Sequence, residues 1–239
     1  GGEVYQSIAK SKKNNNSKTL LLGDSVGKQL FPINTNNNEI NSLACNQSIG
    51  MVGQFLLLNN YLKAGNKVDK VIILFNVFSF KNNLDQEYTY HYFLKPFYNS
   101  EYTPFFSTKV KEQINEIPYS IFSQVPHIKI TSWAPQFNST ESKDYTFLSP
   151  ISVEYLSRIK ALSILYSFEL NILPTPMSIK KRKLIQGINQ DEITISNLDK
   201  EFKDYFNNIV YLESSEFSDE SHLISPLKYS NAIEQKILK

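Results

Sequence analysis

Two strand-length segments constrain this chain more than any other feature, each an unbroken apolar run after one polar residue: Thr19-Leu20-Leu21-Leu22 and Lys70-Val71-Ile72-Ile73-Leu74-Phe75. A strand with one wet face alternates apolar and polar residues, whereas a run without alternation has both faces out of water. Such strands belong to parallel sheets covered on both sides by helices. Between them, residues 51–62 (MVGQFLLLNNYL) have helical length and spacing, and Gly65 follows as a C-cap residue. Strand, helix and strand make a βαβ unit, the connection that parallel pairing demands.

The rest of the chain repeats this pattern less regularly. Residues 150–168 read as a long amphipathic helix, with Val153, Leu156, Ile159, Leu162 and Leu165 at roughly three-residue spacing. A strand at residues 169–173 ends at Pro174-Thr175-Pro176. A helix near residues 200–207, a strand at 209–212, a loop over 214–226 and a closing helix from about Leu227 to Leu238 follow. Residues 110–117 read as helical, 128–131 as a short strand, and the asparagine-rich 34–41 as a loop. Residues 80–108 carry many aromatics with no clean period and read as an irregular insertion. No repeat or linker divides the chain, and 239 residues suffice for one core. The expectation is a single α/β domain over residues 19–239 with helices on both faces of the sheet. Residues 1–18 read as a short helix or tail and linker, with Gly1-Gly2 as a tag scar.

Composition narrows the function classes. With 41% hydrophobic residues, 20% charged residues and a formal net charge of +2, the chain carries no electrostatic footprint for nucleic acid. The densest basic run, Lys180-Lys181-Arg182-Lys183, reads as a solvated loop. Cys45 is the one cysteine, so no internal disulfide forms, and its apolar neighbours mark it as a small buried residue. No run of 18 apolar residues occurs, so the sequence as given is not expected to span a membrane. His91 and His127 lack companions at metal-ligand spacing, and residues 23–28 lack phosphate-loop spacing, so neither metal nor cofactor is expected.

Three short elements carry chemistry. Gly23-Asp24-Ser25 follows the first buried strand, at the carboxyl edge where ligands of open parallel sheets bind. A serine there becomes a nucleophile once a base takes its proton; the plainer reading is that Asp24 and Ser25 cap the next helix. Asp219 stands three residues before His222, a spacing that lets one short loop orient an imidazole. Neither other histidine has an acid at that position, since Tyr88 precedes His91 and Gln124 precedes His127. Oxyanion donors are expected from the Ser25 N–H, from Gly53 at a helix start (with Gly50 competing for the role) and from the side chain of Asn76 after the second strand. The plainer reading of the glycines is relief of helix–sheet crowding, and of Asn76 a turn.

Taken together these blocks resemble the SGNH hydrolases, also called GDSL esterases. Gly23-Asp24-Ser25 looks like their first block, residues 46–53 their second, Asn76 in Phe75-Asn76-Val77 their third, and Asp219 with His222 their fifth. The third block departs from the usual Gly-x-Asn-Asp, and the register of the second is ambiguous. The resemblance implies a three-layer αβα, flavodoxin-like fold and Ser-His-Asp catalysis without a cofactor. The loose blocks look most like the bacterial glycan-modifying branch. That implies an esterase removing acyl groups, acetyl above all, from a carbohydrate or small ester. The alternatives are an O-acetyltransferase acting on a cell-surface glycan with the same triad, and a non-catalytic module binding a glycan or protein. An extracytoplasmic location, with a membrane anchor outside this sequence, goes with the same resemblance. Gly23-Asp24-Ser25-Val26-Gly27 also fits the Gly-x-Ser-x-Gly elbow of α/β-hydrolases, but that elbow normally follows several strands. The aromatics of residues 88–106 read either as a sugar-stacking groove or as a satellite apolar cluster, and Trp133 as a packing or lid residue.

Overall fold

The computed structural model describes residues 2–34, 39–86, 88–117, 120–124 and 147–238. The chain runs through α1 (Gly2–Ser11), β1 (Thr19–Gly23), α2 (Ser25–Leu30), β2 (Ile40–Ser42), α3 (Gly50–Lys63) and β3 (Lys70–Phe75). It continues with the single turn α4 (Lys95–Phe97), then α5 (Thr108–Glu116), α6 (Pro150–Tyr166), β4 (Glu169–Pro174) and β5 (Met177–Ser178). The short α7 (Arg182–Gln186) and α8 (Asp191–Ile195), β6 (Tyr211–Leu212) and α9 (Leu227–Leu238) complete it.

The two apolar runs are the central strands of a four-stranded sheet ordered β2-β1-β3-β4, parallel throughout. Their alternate residues feed two separate cores. Leu20, Leu22, Val71, Ile73 and Phe75 pack with Val52 and Leu56 of α3 and with Tyr155, Leu156 and Ile159 of α6. Leu21, Ile72 and Leu74 pack with Val26 and Leu30 of α2 and with Ile233 and Ile237 of α9. Helices therefore cover both faces. Each such side chain, fully buried, contributes about 1.5–3 kcal/mol relative to exposure, so the register of these two strands is strongly held. It brings Gly23, Leu74 and Leu173 level at one edge of the sheet.

The structure departs from the sequence expectations in several places. The short helix expected within residues 1–18 is α1, and it is docked rather than free: it buries Val4, and Lys10 Nζ donates to the carbonyls of Ile33 and Ser42. β2 arises inside the stretch read as a loop; it is a three-residue edge strand with only Ile40 apolar. The helix near 200–207 is replaced by turns and a 3₁₀ turn at Phe206–Asn208, because Asp204 adopts φ +61° and interrupts any helix there. Of the strand at 209–212 only Tyr211 and Leu212 pair, and they pair with β5, apart from the main sheet. The aromatic segment is mostly core: Phe93, Phe97, Tyr102 and Phe106 are buried, and only Tyr88 is widely exposed, edge-on to Tyr92 at 6.2 Å between ring centres. The proposed strand at 128–131, His127 and Trp133 lie outside the described residues. Among the described residues no helix is long and apolar enough to cross a membrane.

Candidate active site

The turn that carries Ser25 is built from β1 and α2. Asp24 leaves the strand in extended conformation and caps α2, its Oδ1 accepting the N–H groups of Val26 (3.0 Å) and Gly27 (3.1 Å). Ser25 is thus the first helical residue, at the carboxyl edge of the sheet. Helix and sheet approach very closely here: a Cβ on Gly27 would sit 2.8 Å from the Leu74 carbonyl oxygen. The capping reading of this turn holds for Asp24 and leaves Ser25 half-buried beside it, so it does not compete with a catalytic reading of Ser25.

Asp24 does more than cap. Its Oδ2 accepts the backbone N–H of Asn76 at 2.7 Å and the hydroxyl of Ser79 at 2.6 Å. One fully buried carboxylate thereby ties the turn after β1 to the turn after β3. Burial pushes its pKa up, while the Ser79 hydroxyl and the N–H groups of Asn76, Gly27 and Val26 pull against that. The sequence reading missed this bridge; Ser79, three residues beyond Asn76, was the available signal.

The other half of the site comes from the loop before α9. Asp219 Oδ1 accepts the N–H groups of Ser221 and His222, both at 2.7 Å, which folds the loop over the carboxylate. Oδ2 then meets His222 Nδ1 at 2.7 Å, and His222 Nε2 lies 2.9 Å from Ser25 Oγ. The three residues singled out in the sequence are brought together in one hydrogen-bonded chain. An ionised carboxylate can only accept, so Nδ1 carries the proton and Nε2 accepts from the Ser25 hydroxyl. A clamp absent from the sequence reading holds the loop on α2. Gln29 Oε1 accepts the Leu223 N–H at 3.0 Å, and Gln29 Nε2 donates to the Leu223 carbonyl at 3.2 Å. Gln29 is four residues after Ser25, on the same helix face, a spacing that could have suggested it.

Desolvation raises the pKa of Asp219, but the His222 and Ser221 N–H groups and the imidazole together outweigh it. The carboxyl is held at about 2, below its ordinary 3.8. A depressed carboxyl stabilises the folded loop above its unfolded pKa, and that contribution is lost as pH falls through the folded value. The Asp219–His222 contact is therefore expected to persist at pH 4 and to fail between about pH 4 and pH 2. The carboxyl carbon shift of Asp219, followed by NMR titration, checks this; a midpoint at or above 4 contradicts it.

Of the donors expected to face an oxyanion, the two glycines use their N–H groups within the fold, whereas the Ser25 N–H and the Asn76 side-chain N–H groups have no partner among the described residues. Gly50, at φ +59°, already gives its N–H to the Gln47 carbonyl. Gly53 is the fourth residue of α3 after the cap residue Ile49, so its N–H is the first that the helix uses for itself. A Cβ on Gly53 would come within 2.6 Å of the Ile49 side chain, so this glycine serves packing. Both N–H groups are committed within the fold. Other donors are available. Asp24 caps Val26 and Gly27 but leaves the Ser25 N–H without a partner among the described residues. Asn76 Oδ1 accepts the Phe78 N–H at 2.9 Å, leaving Nδ2 likewise without a partner among them. Gln47 opens the 3₁₀ turn that Asn46 caps through the Ser48 N–H, so the Gln47 N–H has no partner among the described residues either. Its side chain touches the bridge, with Oε1 3.3 Å from Ser79 Oγ.

Compared with protein families, curated proteins and solved structures, the chain has no match. What the site can do follows from its own geometry. A half-buried hydroxyl, an imidazole with an oriented lone pair, an ionised carboxylate and unused N–H groups at one sheet edge can together add an alcohol to a carbonyl and move the proton. Among the described residues no group of three or more His, Cys, Asp and Glu is placed to hold a metal ion.

Proposed function

We propose that this chain is a serine esterase of the SGNH type, which removes acyl groups, acetyl foremost, from a carbohydrate or related ester. The observation that carries the reading is the continuous relay from Ser25 Oγ to His222 Nε2 (2.9 Å) and from Nδ1 to Asp219 (2.7 Å). Ser25 Oγ attacks the ester carbonyl as its proton passes to Nε2, and the carbonyl π electrons move onto oxygen. The Ser25 N–H, the Asn76 amide and the Gln47 N–H receive that charge, each such donor being worth about 2.7–4 kcal/mol in the transition state. Collapse expels the alcohol, which takes the proton from His222 and leaves an acyl-Ser25 ester. Water then attacks with the same proton transfers and releases the acid. Supporting the SGNH assignment, the strand order β2-β1-β3-β4 matches the first four positions of the flavodoxin-like order.

A second reading keeps the acyl-Ser25 intermediate and replaces water by a glycan hydroxyl. It is favoured by the openness of the relay, whose His222 and Asp219 side chains are 39% and 56% exposed, leaving room for a bulky acceptor. The purified chain is expected to release p-nitrophenol from p-nitrophenyl acetate. Free acetate as the accompanying product identifies the esterase, and acetylated glycan formed in preference to acetate identifies the transferase. No p-nitrophenol release, together with no labelling of Ser25 by a fluorophosphonate probe, overturns both.

A further inference from the structure

The basic run at residues 180–183 is more than a solvated loop. Its first two residues end a 3₁₀ turn, Ile179–Lys181, leading into α7, and Lys180 and Lys181 wall a cavity of about 410 Å³ with Ser178, Ser214, Phe217, Asp219 and Glu220. That volume lies within the range of small-ligand clefts, about 300–1,000 Å³. The cavity adjoins the proposed active site, because Asp219 belongs to both.

Lys181 fixes its relation to the nucleophile. The ammonium lies 5.2 Å from the centre of the Phe78 ring and 3.0 Å from Glu220. Phe78 donates its N–H to Asn76, and Glu220 follows Asp219 in sequence. One positive charge thus spans the gap between the Asn76 turn and the Asp219 loop, the two segments that flank Ser25. Lys180 lines the same cavity, is exposed, and makes no ion pair among the described residues. Two serine hydroxyls complete the lining: Ser178 and Ser214 Oγ face each other at 3.2 Å, and Ser178 is almost wholly buried.

Asp219 and Glu220 balance the two lysines in formal charge, but neither acid is fixed on Lys180 among the described residues. The charge of Asp219 is spread over three donors of its own loop. Glu220 is 87% exposed, and an ion pair that open contributes little and gives way readily to a competing anion. Two ammonium groups beside rotatable hydroxyls suit an oxyanion that is itself part of a polyhydroxylated molecule.

We propose that this cavity binds the acidic substituent, carboxylate or phosphate, of an acylated sugar, so that the substrate of this site is an acidic glycan. The inference rests on the esterase reading for the ester bond and on the lysine-walled cavity for the acid. The test separates the two by measuring binding to Ser25→Ala, which needs no turnover. The probes are O-acetylated methyl glucuronoside, O-acetylated glucose 6-phosphate and O-acetylated methyl glucoside, titrated by NMR at low ionic strength. At least one acidic probe is expected to bind tenfold or more tighter than the neutral one, and which one does so identifies the acid. In Ser25→Ala carrying Lys180→Gln and Lys181→Gln the margin is expected to fall below threefold, as it should on adding salt. Equal binding of all three probes, binding of none, or a margin that survives the lysine changes would each overturn the proposal. Failure of wild-type ester turnover with a lysine-dependent margin intact would instead overturn the esterase reading and leave the acidic-glycan site standing.

Discussion

Ser25→Ala is expected to lower kcat for p-nitrophenyl acetate by about 10⁴-fold or more, His222→Ala by a similar factor, and the double variant by no more than either alone. The reason is the geometry of the relay. The Ser25 hydroxyl is within hydrogen-bond reach of one base, His222 Nε2 at 2.9 Å, and that base is oriented by one acid. On the proposed mechanism nucleophile and base act as a unit, so removing either removes the function of both. What remains is the stabilisation provided by the unused N–H groups. None of the three side chains is buried, so their loss should leave the thermal midpoint within a few degrees of wild type. Steady-state kinetics on the three variants, with circular dichroism melts beside them, decides the matter. Turnover that survives Ser25→Ala would remove the nucleophile from the mechanism, and multiplicative losses in the double variant would mean the two residues act separately.

Asp24→Ala is expected to cost about 3–5 kcal/mol of folding stability. The carboxylate is fully buried and accepts four hydrogen bonds, from Val26, Gly27, Asn76 and Ser79. Loss of a helix N-cap alone costs about 0.5–2 kcal/mol. A buried donor left without an acceptor costs about 1–3 kcal/mol more, and such terms are not simply additive. Asp24→Asn keeps the shape but turns an amide N–H toward donors on one side, so it should also be destabilising, though less. Urea denaturation measures this directly, as a lower midpoint at unchanged slope. A loss below about 1 kcal/mol in the alanine variant would mean that water replaces the carboxylate, and that the tie between the two turns is not what holds them.

The parts of the fold legible in sequence were those where burial dictates residue type along a whole element. β1 and β3 are buried throughout or nearly so, which leaves a short apolar run without alternation. The closing helix Leu227–Leu238 was readable for a related reason, since one face is apolar at Ile233 and Ile237. β2 was hidden because a three-residue edge strand owes its existence to pairing with β1, which its own residues do not encode. The absent helix near residue 204 shows the reverse: helical-looking spacing yielded to a left-handed Asp204 and to Phe202 and Tyr205 turning into the core, where Tyr205 donates to the Phe75 carbonyl at 2.8 Å. Within the site, Ser25, His222 and Asp219 were readable because their chemistry limits which residues can serve. Which backbone N–H groups stay uncommitted was not, because a backbone N–H has no residue type. Only the hydrogen-bond geometry distinguishes the committed N–H of Gly50 from that of Gln47, which has no partner among the described residues. Gln29 and Ser79 escaped notice for a different reason, since each acts on a partner far away in the sequence.

Ser25 and His222 are 197 residues apart, and the segment carrying His222 is fastened by Gln29 on α2 and by packing of α9 against the face that α2 covers. On the proposed esterase reading, a chain emerging from the ribosome therefore carries Ser25, and the Asp24 carboxylate that ties the surrounding turns, long before it carries His222. Until the segment carrying His222 docks on α2, Ser25 has no base beside it and remains an ordinary alcohol. On that reading the order of synthesis itself keeps the nascent chain chemically silent.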